Sequence, residues 1–229
     1  MQLDCLMFEL GRRCNFQCAH CLRGAAQDVS LDFKVIDKAL DSVERINCLT
    51  LSGGEPMLYP SAIKYIVDEI CRRDISVDYF FIATNGTIFD ITGVSALLEL
   101  YSICCEKEMC ELKISADKYH RQCHSPLDVW SGLAFARYDE GVPDKYLKKE
   151  GRAETISEAY NIPEDNGVVF DDENNVAEGI VYVNALGDVL TECDYSYEHQ
   201  QLRSYGNLNN SSLEDILYEL SLSSIAQAS

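Results

Sequence analysis

The sequence predicts an α/β fold: a partial (β/α) barrel, truncated relative to a complete one, followed by a β-hairpin and a helix. Four strand-then-helix units follow one another, which implies a parallel sheet with right-handed crossovers. A loop rich in cysteine, glycine or polar residues follows each strand, where such sheets place their active sites. The alternation weakens after residue 117, and the residues up to 151 are too few for two further units.

Hydrophobic periodicity locates the elements. Strands are predicted over residues 5–10, 47–52, 77–84 and 110–115. Helices are predicted over residues 32–46, from Pro60 onward, and over residues 90–103, 127–138 and 211–221. Much of 139–178 is predicted to be loop, and a hairpin is expected around Asn184–Gly187. We therefore predict a core over residues 1–138, and an acidic irregular region with the hairpin and helix over 139–229.

The charge of the chain limits its partners. The net charge is −19, and residues 139–198 carry sixteen Asp and Glu against four Lys and Arg. Nucleic acids and anionic membrane surfaces both require clustered basic residues, so neither is expected as a partner. The acidic stretch is typical of a solvated surface, and the alternative is a docking face for a basic peptide.

Two further absences predict a cytoplasmic protein. No apolar run approaches the roughly 20 residues that span a bilayer. The N-terminal MQLDCLMFEL has neither a basic segment nor a small-residue cleavage site.

The eleven cysteines favour a metal site over a disulfide framework, because their number is odd and no export signal precedes them. Cys14, Cys18 and Cys21 lie in one loop with the spacing CxxxCxxC. Three thiolates at this spacing can hold three corners of a four-iron four-sulfur cluster and leave the fourth iron open to another ligand. The alternatives are a zinc site, completed by His20 or a remote cysteine, and three unconnected cysteines.

Two further motifs sharpen this interpretation. Ser52-Gly53-Gly54-Glu55-Pro56 ends the second predicted strand, and Ser115-Ala116-Asp117 ends the fourth. With the CxxxCxxC loop after the first strand, they resemble the signature, the GGE motif and the Ser-x-Asp motif of the radical S-adenosylmethionine (SAM) superfamily. The resemblance covers about residues 5–120 and implies a partial barrel of the radical SAM type.

The resemblance also implies the ligands and their sites. Cys14, Cys18 and Cys21 would ligate three irons of one cluster, and the amino and carboxylate groups of SAM would chelate the fourth. The remaining implied SAM contacts are His20 near the adenine, Gly53, Gly54, Glu55 and Pro56 around the amino group, Thr84 and Asn85 facing the cofactor, and Ser115 and Asp117 near the ribose or carboxylate. Taken alone, Gly53-Gly54 and Thr84-Asn85-Gly86 are also typical of plain turns.

The activity implied by this resemblance is reductive cleavage of SAM to a 5′-deoxyadenosyl radical, which abstracts hydrogen from a peptide or small molecule. A one-electron reductant of the flavodoxin or ferredoxin type would be the protein partner. No catalytic residue is assigned by the sequence. The alternatives are an activase for a glycyl-radical enzyme, a non-enzymatic iron–sulfur electron-transfer protein, and a zinc-binding interaction module.

The C-terminal segment gives a weaker resemblance. Gly187-x5-Cys193, with Tyr205-Gly206-Asn207-Leu208 and the following helix, resembles the start of a truncated auxiliary-cluster extension of the SPASM or twitch kind. Cys193 is the last cysteine, so a second cluster is not expected. Cys193 is then either a lone catalytic or redox residue or a structural relic. Core packing is expected for the other cysteines in the middle of the chain, Cys104, Cys105, Cys110 and Cys123.

Overall fold

The computed structural model describes residues 1–120, 127–141, 143–156, 158–159 and 167–228, and their side chains except those of 127–128 and 223–228. The strands are β1 (Gln2–Glu9), β2 (Arg45–Ser52), β3 (Ser76–Thr84), β4 (Glu111–Ser115), β5 (Ala136–Asp139), β6 (Val169–Asp171), β7 (Val176–Val183), β8 (Asp188–Leu190) and β9 (Gly206–Asn207). The helices are α1 (Phe33–Leu40), α2 (Pro60–Arg72), α3 (Ile91–Ile103), α4 (Leu127–Trp130), α5 (Tyr197–Gln200) and α6 (Leu213–Ala228). Short 3-10 helices span Pro56–Leu58, Asp144–Tyr146 and Gly151–Thr155.

All described strands belong to one sheet, in the order β5-β4-β3-β2-β1-β7-β8-β9, with β6 paired to β7. The strands from β5 to β1 are parallel, and β7 adds a sixth parallel strand beside β1. The pairs β6·β7, β7·β8 and β8·β9 are antiparallel. The sheet stays open between its outer strands in the described part of the chain, which confirms the predicted partial barrel.

The two faces of the sheet have different neighbours, because side chains alternate along each strand. On the outer face, Phe8 of β1 and Leu51 of β2 join one large core with apolar residues of the helices, such as Ile36 and Ile63. On the inner face, a small cluster contains Met7, Tyr182, Leu190 and Tyr195. The helices therefore cover one face, and the other is left to line a cavity.

Local signals set the helix starts. Asp32 caps α1 by accepting a hydrogen bond from the backbone N–H of Lys34, and Asp90 caps α3 by accepting from Thr92 and Gly93. Such caps satisfy backbone donors that have no partner within the helix. Pro60 opens α2, at a position where its missing N–H is not needed.

The helix predicted over 127–138 is wrong in its second half. The helix α4 ends at Trp130, and residues 136–139 form β5, which pairs with β4. Trp130 is buried and donates its indole N–H to the Gly86 carbonyl at 2.7 Å, while Phe135 packs edge-on against Phe80. These tertiary contacts decide the local structure, and a four-residue strand leaves no clear periodic signal.

The cysteines in the middle of the chain differ in their burial. Cys104 and Cys110 are buried, as predicted, whereas Cys105 is exposed because it lies just beyond the end of α3. Cys123 lies outside the described residues. In the described part of the chain, no helix combines the length and apolarity that crossing a membrane requires. The predicted domain boundary after residue 138 stays a prediction.

Candidate functional site

A cavity of about 390 Å³ opens at the carboxyl ends of the central parallel strands. Ten of the predicted site residues line it: Cys14, Cys18, His20, Cys21, Gly53, Gly54, Glu55, Thr84, Asn85 and Ser115. Pro56 is buried in the 3-10 helix after the glycines, and Asp117 lies behind His20 and His120, so neither is among the lining residues. The topology thus brings together motifs that are up to about a hundred residues apart.

The three cysteines of the loop after β1 are free, half-buried and face this one cavity. The backbone N–H of Phe16 donates to Cys14 Sγ at 3.4 Å, and that of Cys21 donates to the Cys18 carbonyl at 3.2 Å. Burial raises the pKa of Cys14, and burial with repulsion from Cys14 and Cys21 raises that of Cys18 to about 11. A nearby positive charge would favour the thiolate forms of Cys14 and Cys18.

This donor set fits an iron–sulfur cluster. Thiolate sulfur is the ligand that such clusters take from proteins, and three sulfurs at one end of an open cavity leave room for a further ligand. His20 also lines the cavity, and its Nδ1 is buried without a hydrogen-bond partner among the described residues. Burial lowers the pKa of His20, so the ring is neutral at pH 7 and keeps one nitrogen as an acceptor.

The glycines of the second motif allow the turn after β2 to lie close to the cysteine loop after β1. A Cβ on Gly54 would lie 2.3 Å from the Arg13 carbonyl oxygen, and one on Gly53 would lie 2.4 Å from that of Gly11. Gly53 also has a φ of +145°, which side chains disfavour. The backbone N–H of Gly54 donates to the Gly11 carbonyl at 2.9 Å. These glycines therefore hold the cysteine loop against the end of β2.

The carboxylate of Glu55 accepts three hydrogen bonds from other residues of the protein. It accepts hydrogen bonds from the Thr84 hydroxyl at 2.6 Å, the Asn85 backbone N–H at 2.8 Å and the Met57 backbone N–H at 3.1 Å. Burial raises its pKa, and these hydrogen bonds oppose that rise. Glu55 thus joins the ends of β2 and β3 through its side chain.

Asn85 extends this connection to the cysteine loop. Its side-chain N–H donates to the Asn15 side-chain carbonyl at 2.9 Å, and Asn15 in turn donates to the Thr87 hydroxyl at 2.8 Å. Asn15 lies directly after Cys14. The Thr-Asn-Gly turn after β3 therefore positions the first cysteine.

The loop after β4 brings a second aromatic group to the cysteines. Asp117 lies 2.9 Å from His120 Nδ1, and His120 Nε2 lies 3.4 Å from Cys18 Sγ. His20 stacks on Tyr119 with the ring centroids 4.2 Å apart. Asp117 orients His120 at one wall of the cavity.

Arg152 is a site residue that sequence reasoning missed. Its Nε donates to the Cys18 carbonyl at 2.8 Å, and its backbone N–H donates to the Cys21 carbonyl at 2.9 Å. Gly151 has a φ of +55° and passes so close to Leu22 that a Cβ would meet the Leu22 carbonyl at 2.3 Å. No motif marks this pair, which lies in the acidic stretch predicted to be loop.

A buried polar network ties the cysteine loop to the C-terminal region. Arg12 donates to Glu9 at 2.7 Å and to Gln200 at 2.8 Å, and Gln200 donates to Glu9 at 3.0 Å. Tyr182 also donates to Glu9. Burial alone would raise the pKa of Glu9, but the charges of Arg23 and Arg12 outweigh it and lower this pKa. The carboxylate therefore stays ionised inside the protein.

A comparison of the sequence with known protein families identifies the family of this chain. The profile of the Radical SAM superfamily matches residues 8–133, which is more than half of the chain. The chain belongs to the radical SAM superfamily. Members of this superfamily are enzymes that use a four-iron four-sulfur cluster and SAM. The matched residues contain all three predicted motifs.

Two known proteins are similar to this radical SAM chain. The antilisterial bacteriocin subtilosin biosynthesis protein AlbA of Bacillus subtilis (strain 168) is 29% identical over 121 residues, which are 51% of this chain and 25% of AlbA. The match therefore spans about a quarter of that relative. The crystal structure of BtrN in complex with AdoMet and 2-DOIA superposes with a TM-score of 0.55 at 19% identity, over 98% of this chain and 86% of BtrN. This likeness confirms the fold.

Proposed function

We propose that this protein binds one four-iron four-sulfur cluster through Cys14, Cys18 and Cys21 and cleaves SAM in the adjoining cavity. When bound, the reduced cluster supplies one electron to SAM, which yields methionine and a 5′-deoxyadenosyl radical that takes hydrogen from a substrate. The observation that carries this proposal is that the three thiols, both glycines and Ser115 line one cavity.

The residues around the cysteines hold the loop in place. Gly53 and Gly54 let it approach β2, Asn85 holds Asn15, and Arg152 donates to two of its carbonyls. Because its carboxylate already accepts three hydrogen bonds within the protein, we assign Glu55 to shaping the site and backbone groups of the Gly-Gly turn to meeting the SAM amino group. Ser115 and His20 line the cavity and are assigned to the rest of SAM, and Asp117 acts through its contacts with His20 and His120.

A peptide is the proposed class of substrate. AlbA is named for the biosynthesis of a bacteriocin, and its similarity to this chain favours a peptide over a small molecule. A ribosomally made peptide with basic residues would also be attracted by the −19 net charge of the chain. The electron donor proposed here is a flavodoxin or ferredoxin.

Reconstitution tests the first part of the proposal. The protein is loaded anaerobically with iron and sulfide and then given dithionite and SAM. We expect about four irons per chain and production of 5′-deoxyadenosine. Zinc bound in place of iron, or SAM that stays intact, would contradict the proposal.

Isotope transfer tests the substrate class. Candidate precursor peptides, uniformly deuterated, are compared with deuterated small metabolites under the same conditions. We expect deuterium in 5′-deoxyadenosine only with a peptide. If deuterium is transferred from a small molecule but from none of the peptides, the proposed peptide substrate is wrong. The proposed SAM cleavage would still stand.

A further inference from the structure

The inner face of the sheet carries two thiols that are not part of the cysteine loop. Cys5 of β1 and Cys48 of β2 are register partners in adjacent parallel strands. Neighbouring strands lie about 4.8 Å apart, inside the Cα separation of about 4.4–6.8 Å at which two cysteines can be bridged. Both cysteines are free and half-buried, so neither residue is fully enclosed in the core.

The two side chains point to the same side of the sheet. Met7 and Thr50, two residues further along each strand, line the cavity, and alternation places Cys5 and Cys48 on that face one layer below. Both sulfurs approach one hydroxyl, because Thr50 Oγ1 lies 3.9 Å from Cys5 Sγ and 3.6 Å from Cys48 Sγ. The two sulfurs therefore converge.

Their surroundings make the two thiols unequal. A hydrogen bond from the Cys5 thiol, helped by the hydroxyls of Thr50 and Tyr79, lowers the pKa of Cys48 to about 7, although burial opposes this. The same contact and burial raise the pKa of Cys5, and the charge of Cys193 adds to the rise. Cys48 is therefore the thiol that ionises more readily and Cys5 the one that keeps its proton, which suits an attacking and a resolving cysteine.

We propose that Cys5 and Cys48 form a redox-active dithiol that exchanges with low-molecular-weight disulfides such as oxidised glutathione. The Cys48 thiolate attacks one sulfur of the disulfide, which forms a mixed disulfide and releases one glutathione thiolate. The Cys5 thiol then loses its proton to solvent and attacks the Cys48 sulfur, which forms the Cys5–Cys48 bond and releases the second glutathione. Two protein thiols are oxidised, and one glutathione disulfide is reduced to two thiols.

Peptide mapping of the cluster-loaded enzyme tests the proposal. The enzyme is incubated anaerobically with oxidised glutathione, free thiols are alkylated, and the linked peptides are identified by mass spectrometry. We expect a Cys5–Cys48 bridge, while the buried neighbours Cys104 and Cys110 stay thiols. Glutathione on the exposed Cys71 shows that the reagent is active. A modified Cys71 without any Cys5–Cys48 bridge would overturn the proposal.

Two variants test the assigned roles. In Cys5→Ser, Cys48 should retain glutathione as a stable mixed disulfide, because the resolving thiol is gone. In Cys48→Ser, modification of Cys5 should be about tenfold slower than modification of Cys48 in Cys5→Ser, because burial still raises the pKa of Cys5 and disfavours its thiolate. Modification of Cys5 in Cys48→Ser at the same rate as modification of Cys48 in Cys5→Ser would contradict these roles. The Cys5–Cys48 bridge is measured in the wild-type enzyme, so this test does not depend on whether the variants fold. It is also measured without SAM, so its outcome is independent of the proposed SAM cleavage.

Discussion

The two halves of the chain build the same site in different ways. In the N-terminal half, each parallel strand ends in a short motif, and the side chains or glycines of that motif line the cavity directly. In the C-terminal half, single residues reach the site from short helical segments: Arg152 of the 3-10 helix Gly151–Thr155 donates to the cysteine loop, and Gln200 of α5 donates to Glu9 and accepts from Arg12. The first half supplies the proposed cluster ligands, and the second half adds contacts to the loop that carries them.

From this difference we predict that substitutions in the two halves will have different effects. Removing a residue of the first kind should abolish the chemistry, because nothing replaces a cluster ligand. Removing one of the second kind should weaken binding or stability by a measurable amount and leave the chemistry in place. Four substitutions, arranged by the expected size of their effect, test this contrast.

The largest effect is expected from Cys18→Ala. The loss of one of three ligands should reduce bound iron to a small fraction of the wild-type content and abolish 5′-deoxyadenosine production. Iron is measured after anaerobic reconstitution and desalting, and the nucleoside by chromatography. The control is Cys71→Ala, which removes an exposed cysteine from the end of α2. Equal losses in the two variants would contradict the assignment of the cysteine loop.

Gly54→Ala should destabilise the whole N-terminal half. The added Cβ would lie 2.3 Å from the Arg13 carbonyl oxygen, so the cysteine loop has to move away from β2. We expect a loss of about 4 kcal/mol in the free energy of unfolding, measured by urea denaturation. Gly132→Ala is the matched control, because a Cβ there meets nothing within 4 Å. A loss in Gly132→Ala as large as that in Gly54→Ala would refute the steric explanation.

The N-terminal half was predictable because its signals are local. Strand and helix periods, glycine turns and the cysteine spacing each lie within a few residues, and parallel topology then places all strand ends at one edge. The elements from β1 to β4 and α1 to α3 accordingly match the predicted ones closely, with bounds that differ by a few residues, the largest difference being the end of α1. The radical SAM resemblance was confirmed on the same residues.

The rest depends on contacts between distant residues. The strand β5 exists because it pairs with β4, and β7 joins β1 although about 170 residues separate them. No sequence motif marks Arg152, because its partners are two backbone carbonyls, and every residue has a backbone carbonyl. Glu55 stays a predicted SAM contact, and its carboxylate also accepts hydrogen bonds from Thr84, Asn85 and Met57, contacts that only the folded sheet reveals.

Glu9→Gln tests the connection between the two halves. The substitution leaves Arg12 and Arg23 buried without their anionic partner, so we expect a loss of about 3 kcal/mol in the free energy of unfolding at pH 7. Because the pKa of Glu9 is lowered in the folded protein, its contribution is complete above the unfolded pKa of 4.5 and is lost as the pH falls through the folded value. The difference between variant and wild type should therefore shrink below pH 4.5.

Urea denaturation at pH 7 and at a series of acidic values measures this difference. Glu108→Gln is the control, since it removes the charge of an exposed glutamate and should change stability little at any pH. If the difference in the free energy of unfolding between Glu9→Gln and wild type stays constant as the pH falls from 7, the charge of Glu9 does not explain the effect. Altered packing would then be the cause.

The smallest effect is expected from Arg152→Met. The variant loses the 2.8 Å hydrogen bond to the Cys18 carbonyl and a positive charge that lowers the pKa of Cys14 and Cys18, but it keeps its own backbone bond to Cys21. We expect the cluster to be bound about tenfold more weakly, as is usual when an outer partner of a metal ligand is removed. The rate of bleaching by an iron chelator measures this.

Lys149→Met separates the two causes, because it removes an exposed positive charge from the same segment. If Arg152 acts by holding the loop, Lys149→Met should bleach at the wild-type rate and Arg152→Lys, which keeps the charge without the same Nε contact, should bleach nearly as fast as Arg152→Met. Wild-type bleaching in Arg152→Lys would assign the effect to charge alone. In either case SAM cleavage per bound cluster should stay near the wild-type value, because Arg152 supports the cysteine loop and contributes no ligand to the cluster.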